Sequence, residues 1–347
     1  MDQGQIIESE EDRAEELVRI NCRNPDWQDF LLQTQHTIFH TPLWQEVVSQ
    51  AYKAESAIYA YYKKGKIRLA VVGFIFDWKI CRVFFASLFD GGIVGDTGFM
   101  PELISLLTAS LKKDKIDKIR IMQTYSAHFS DIPSFKKTEA SQHIVKLDSV
   151  DENMLWDRLY RNRVRKAVQQ ARYKGVKIKE VKTKQDIRLL YKLNLQTIKR
   201  NHAFSAFTKV ILMDFYNKFL RSGQGKAWLA EKDNVCIAGL LVVYSNNASH
   251  GMVGGSLDAY FNLRANDLLL HEAMVDTIRN KKHYFDFMLS AKDKKNLQFF
   301  KDKFGGEEYP ACFYEKNITS IRPVIWEIVW KIIHTPLGGA LLRFLYR

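Results

Sequence analysis

Between residues 176 and 314 the chain follows an order of elements that few folds can satisfy. A strand-like run (176–181) precedes two amphipathic helical stretches (184–200 and 208–221). Three strand-like runs then come in succession (226–231, 235–244 and 248–254), with no helix between them. A helical stretch (262–280), a strand (283–288), a short helix (294–303) and a last strand (309–314) complete the series. Consecutive strands closed by a helix and a further strand demand a mixed sheet with helices packed against it, an α/β (α+β) domain. A long helix is expected just upstream, over 152–173, stopped by Lys174-Gly175.

The first half reads as a weaker copy of the same order. Helices are expected over 25–33 and 41–53, the second opened by Thr41 as cap and Pro42 in the first turn. Strands are expected over 56–62, 67–76 and 80–88, a helix over 101–113, and strands over 116–122 and 143–147. A polar junction at 148–151 divides the halves, so the expected organisation is 1–148, 149–316 and a tail, 317–347. At 347 residues the chain suits two domains of ordinary size.

Composition narrows the function classes. Hydrophobic residues make up 46% and charged residues 26%, a globular balance. No run of eighteen apolar residues is present, and the first thirty residues are acidic rather than leader-like. Cys22, Cys81, Cys236 and Cys312 are widely separated and the nine histidines are scattered, so neither a disulfide framework nor a metal site is expected. The expected setting is the cytoplasm. A net charge of +13 points to anionic partners: phosphate-bearing ligands, RNA or a membrane surface.

Much of that charge is local. From Trp156 to Lys184 there are eleven basic residues and two acidic ones, Asp157 and Glu180. On one helix at about 100° per residue, Arg158, Arg161, Arg165 and Arg172 form a stripe. Guanidinium forks match phosphate oxygens, so the stripe is either a phosphate grip or a solvated basic face.

Downstream, His250 to Ser256 is a glycine-rich strand, a sign of a bulge or of close backbone approach. Asp286 reads as a buried hydrogen-bond acceptor or as a group that orients an attacking amine. Lys301 reads as a surface lysine or as a cation beside a developing oxyanion. Spacing alone does not choose, and no Ser/His/Asp or Cys/His arrangement is recognisable.

Several segments together resemble the Fem-type transferases that build peptidoglycan peptide bridges, tandem domains of the acetyltransferase (GNAT) fold. They are Thr37 to Trp44; Arg161 to Ala167 with Lys174-Gly175-Val176; Gly254-Gly255-Ser256 with Tyr260; Leu268-Leu269 through Ala273; Phe285-Asp286-Phe287; and Phe300-Lys301 with Phe304-Gly305-Gly306. The resemblance implies two tandem GNAT-like domains with mixed sheets flanked by helices. It implies that Arg161 and Arg165, with Arg158, Trp44 and Tyr260 nearby, bind the diphosphate of a UDP- or lipid-linked acceptor. Lys301 with Phe300 and Asp286 would form the acyl-transfer centre. The amine would come from the acceptor and the aminoacyl ester from charged tRNA, with no covalent enzyme intermediate and no bound cofactor. Met288 stands where the family often has glycine, and Val47 to Gln50 where it tends to carry a lysine.

An acyl-CoA donor is the nearest alternative. Such enzymes hold the pyrophosphate on a glycine-rich loop at a helix N-terminus, but Phe261 to Asp267 has no glycine and carries Asp267. A non-catalytic nucleic-acid-binding protein would also fit the charge, although no RNA-binding signature is visible. The tail, 321–347, alternates apolar stretches with Arg322, Lys331, Arg343 and Arg347. It is expected either to lie in a membrane interface, at the inner face, or to pack as a helix on the protein.

Overall fold

The structure, a computed structural model, describes residues 15–86, 88–201 and 207–333; the acidic stretch 1–14 and the tail residues 334–347 lie outside it. The first half contains β1 (Glu16–Ile20), α1 (Pro25–Gln33), α2 (Pro42–Tyr52), β2 (Glu55–Lys63), β3 (Lys66–Asp77), β4 (Arg82–Ala86), β5 (Ile93–Gly95), α3 (Met100–Lys113), β6 (Lys118–Gln123) and β7 (Lys136–Lys146). The second contains α4 (Glu152–Met154), α5 (Asn162–Tyr173), β8 (Lys177–Glu180), α6 (Lys184–Arg200), α7 (Lys209–Asp214), β9 (Gly225–Lys232), β10 (Val235–Tyr244), β11 (Ala248–Ser256), α8 (Ala265–Arg279), β12 (Tyr284–Ala291), α9 (Lys295–Asp302), β13 (Glu307–Asn317) and α10 (Arg322–Ile333). Wider helical turns extend α4 through Leu155–Leu159 and α7 through Phe215–Leu220.

All strands join one sheet in the order β1-β2-β3-β4-β6-β13-β7-β12-β11-β10-β9-β8, with β5 on the side of β3. Two neighbouring pairs are parallel, β4 with β6 and β11 with β12; the other pairs are antiparallel. The halves therefore interleave. β13 runs between β6 and β7, and β7 carries the sheet across to β12.

Period-two alternation in the strands sends side chains to two cores. Ala238, Leu240 and Val242 of β10 pack with α5 and α8, while Leu241 and Val243 pack with α2, α6 and α7 on the other face. The second core takes Trp44 from the first half and wedges it among Phe39, Phe89, Phe215 and Phe219. The caps are legible. Thr183 and Asp186 form a reciprocal capping box that starts α6 at the expected residue, and Thr41 accepts from Trp44 N at the start of α2.

The expected continuous helix over 152–173 is broken. Tyr160 and Arg161 have extended backbones (ψ 129° and 149°), and Arg161 N donates to Lys303 O at 3.0 Å, outside any helix. Helical phase is lost at that joint, so Arg158 does not share one stripe with Arg161, Arg165 and Arg172. The strand β1 was hidden in the acidic start, and β7 begins seven residues before its expected position.

α10 packs on the first half. Trp326 stacks on Trp78 at 4.3 Å, Arg322 Nε donates to Ile80 O, and Lys118 pairs with Glu327. Ile321, Val324, Ile325 and Ile328 remain exposed. Among the described residues no helix is long and apolar enough to cross a membrane.

Candidate active site

The parallel pair at the centre of the second half is short. β11 and β12 stay in register only from Ala248↔Tyr284 to His250↔Asp286, and then they part. Each strand carries an irregularity at the point of parting. Met252 is the extra residue of a bulge against β10, and Phe287–Met288 interrupt the pairing of β12 with β7. Bulges bend a strand and re-aim side chains, so the split is built into both edges.

Asp286 sits at the fork, fully buried. Its Oδ2 accepts from Gln142 Nε2 (2.9 Å) and His250 Nδ1 (3.0 Å), and its Oδ1 accepts from Met288 N (2.7 Å). That last bond turns the chain so that Met288 adopts φ 60°, a left-handed conformation costly for a side chain with a Cβ. On the far side of the imidazole, Ser245 Oγ lies 2.8 Å from His250 Nε2 and accepts from Ile38 N at 2.8 Å. Ser245, His250 and Asp286 thus make a Ser–His–Asp chain that the sequence does not reveal. Its serine is buried and its hydroxyl is engaged on both sides, so the chain ties the two halves together rather than presenting a nucleophile.

Lys301 comes to the same fork from α9. It is 4% exposed, and Nζ donates to Met288 O (2.7 Å) and Ser290 Oγ (2.5 Å). Burial lowers the ammonium pKa to about 8, opposed by the attraction of Asp286. An ammonium with two donors committed keeps a third for a ligand oxygen. His143, also buried, lies with Nε2 3.1 Å from Asp302, and burial, then the Lys301 charge, holds its pKa down.

A second cluster forms where α8 begins. Tyr260 and Phe300, both half-buried, line a cavity of about 230 Å³ with Arg264, Asp267 and Lys303. Lys303 pairs with Asp267, and its ammonium stands 4.2 Å from the Phe300 ring. The carboxylate of Asp267 lies in the first turn of α8, where the exposed N–H groups would otherwise favour an outside anion.

The other expected residues divide. Arg161 caps α5 beside Lys303, with its side chain exposed. Arg165 turns back to donate to the carbonyls of Trp156 (3.1 Å) and Asp157 (3.0 Å), and Arg172 lies 3.5 Å from Glu272. Arg158 is exposed on the preceding turn. Trp44 is wholly enclosed in the core and has no surface to offer a ligand. The glycine-rich strand has a packing reason at Gly255: an added Cβ would stand 2.4 Å from Asn194 N, so glycine lets α6 close on β11. Sequence reasoning missed Gln142, Ser245, His250 and Ser290; only Met288, in a place where glycine is frequent, signalled the unusual backbone at the fork.

Residues 158–301 match the family model described as an acetyltransferase (GNAT) domain. Among solved structures the chain is similar to FemX, with 14% identity and a TM-score of 0.67 over 92% of this chain and 100% of that one. It is similar to a tandem GNAT protein from the clavulanic acid biosynthesis pathway (11% identity, TM-score 0.58, 88% and 99% covered). It is also similar to L-PGS from Bacillus licheniformis (12% identity, TM-score 0.57, 90% and 98% covered). Among curated proteins none matches the chain. At these identities the structures speak for the fold: the chain has the mixed-sheet, tandem GNAT architecture expected from its sequence.

Proposed function

We propose that this chain of tandem GNAT fold is an N-acyltransferase that passes an aminoacyl group directly to an amine of a cell-envelope precursor. The observation that carries the reading is the fork between β11 and β12 with the buried Lys301 ammonium at its base. An acyl carbonyl placed in the fork meets a cation with one donor to spare, in surroundings dry enough for charge to act strongly. The attacking amine comes with the acceptor, and positioning supplies much of the remaining rate. Lys301 and Asp286 serve the centre in different ways: Lys301 faces the reacting carbonyl, and Asp286 holds the turn that presents Met288 O to Lys301.

The donor we favour is charged tRNA rather than acyl-CoA. The place where a pyrophosphate would meet the start of α8 holds the Asp267–Lys303 pair and the left-handed Arg264 (φ 59°). Two of the similar structures support this choice by name, FemX and L-PGS, and the chain is also similar to the C-terminal domain of a putative lysylphosphatidylglycerol synthetase from Agrobacterium fabrum. Arg161, whose backbone N–H donates to Lys303 O, is our candidate for the acceptor's diphosphate, and the exposed apolar side chains of α10 for contact with a membrane holding a lipid-linked acceptor.

A thermal-shift screen against UDP-linked muropeptides, lipid-linked sugars, CoA thioesters and charged tRNA tests the reading. Stabilisation by an envelope precursor and by charged tRNA is expected; stabilisation by CoA thioesters alone overturns the choice of donor. Flotation with anionic liposomes tests the membrane contact: Val324→Asp/Ile328→Asp should stay unbound where the unaltered chain floats, and equal flotation contradicts it.

A further inference from the structure

A cavity of about 390 Å³ opens on the sheet face next to the fork. Its walls are apolar and come from both halves: Phe85 of β4, Phe313 of β13, Met252 of β11, and Met288 and Leu289 of β12. Met252 and Met288 are the residues at which the two bulges occur, so the irregularities that open the fork also line this cavity. Met288 belongs to both sites, since its side chain lines the cavity while its carbonyl holds Lys301.

One charge breaks the apolar lining. Arg120 of β6 is in register with Phe85 and with Glu315, and its guanidinium lies over the Phe313 ring at 4.0 Å. Neighbours on β6, Ile119 and Ile121, alternate to the opposite face and pack in the core with α3. Glu315 lies 3.3 Å from the Nε of Arg120 without hydrogen-bond alignment, while its other oxygen lies 3.2 Å from Lys118. Among the described residues neither terminal nitrogen of Arg120 donates a hydrogen bond to the protein. Desolvation pulls its pKa down, opposed by the attraction of Glu315.

A guanidinium set in an aromatic and thioether wall, with its forked donors unused, suits one kind of ligand: an apolar group bearing a carboxylate, taken bidentately. We propose that this cavity binds an apolar carboxylate, with Arg120 pairing the carboxylate and the Phe and Met walls burying the apolar part. The proposal rests on the transferase reading in that the cavity shares Met288 with the Lys301 site and so would orient the acceptor. Two sources share this chemistry, a free apolar acid and the C-terminus of an apolar peptide.

Titration calorimetry of the full-length protein distinguishes them, using 4-phenylbutyrate and N-acetyl-Leu-Phe, each against its carboxamide. At least one acid should bind saturably at one site, at least tenfold tighter than its amide. Arg120→Met should remove that difference while leaving the amide's affinity unchanged, and Met252→Trp, which fills the cavity, should abolish binding of both. Glu315 keeps Lys118 as partner in Arg120→Met, and a melting temperature near that of the unaltered chain confirms its fold. Equal affinity for acid and amide, no saturable binding, or an Arg120→Met protein that still prefers the acid overturns the proposal. Binding is read without turnover. A chain that binds the acid and transfers nothing therefore sinks the transferase reading alone, and transfer without acid binding sinks this one alone.

Discussion

Lys301 Nζ donates to the carbonyl of Met288 across 2.7 Å, and Met288 presents that carbonyl from a left-handed backbone at φ 60°. The site thus depends on a conformation that ordinary side chains resist. Met288→Val should lose about 1–2 kcal/mol, because branching at Cβ worsens the left-handed clash. Met288→Gly should be more stable than Met288→Val, measured by urea unfolding, and should keep the Lys301 contact. Equal stabilities would show that the backbone strain is not what limits this position.

The buried ammonium makes a signed pH prediction. Its pKa falls on folding from 10.5 to about 8, so between those values the unfolded chain binds more protons than the folded one. Stability should therefore rise with pH through that window, and Lys301→Met should flatten that part of the profile. Transfer activity should instead fall as pH rises through about 8, where the cation is lost. Chemical denaturation and rate measurements from pH 7 to pH 10.5 check both slopes.

Asp267 and Lys303 form a pair with little access to solvent at the start of α8. Removing one partner leaves a charge in an enclosed place, so Asp267→Ala and Lys303→Met should each cost about 3 kcal/mol. The double variant should recover much of that loss. A double-mutant cycle by thermal unfolding reads the coupling, and additive losses would mean that the pair is solvated.

Arg161 and Arg165 should separate binding from stability. Arg161→Ala removes an exposed guanidinium at the cap of α5, and should raise KM for a phosphate-bearing acceptor about tenfold with an unchanged Tm. Arg165→Ala removes two hydrogen bonds to the carbonyls of Trp156 and Asp157, and should lower Tm with little change in KM. The reverse pattern would move the phosphate grip to the other arginine.

Much of the fold was legible, because capping and periodicity are local. Thr183 with Asp186, Thr41 with Pro42, and the alternation in β10 place their elements within a residue or so. What stayed hidden was set by contacts distant in sequence. The joint at Tyr160–Arg161 exists because Arg161 N meets Lys303 O, so a helical wheel drawn through it misplaced Arg158. Insertion of β13 between β6 and β7 is likewise a tertiary choice that no single strand announces. At the site, Lys301 and Asp286 became candidates through the family resemblance, since spacing alone left their roles open, and the partners that fix their geometry were not visible at all. Gln142, Ser245, His250 and Ser290 matter only through neighbours brought in by the sheet.

The most direct test is a transfer assay that offers the purified protein labelled aminoacyl-tRNA and labelled acyl-CoA side by side, with an amine-bearing envelope precursor as acceptor. Amide product from the tRNA ester, reduced about a hundredfold in Lys301→Ala, is the predicted result. Product from acyl-CoA alone, or tRNA-dependent product undiminished in Lys301→Ala, would contradict it.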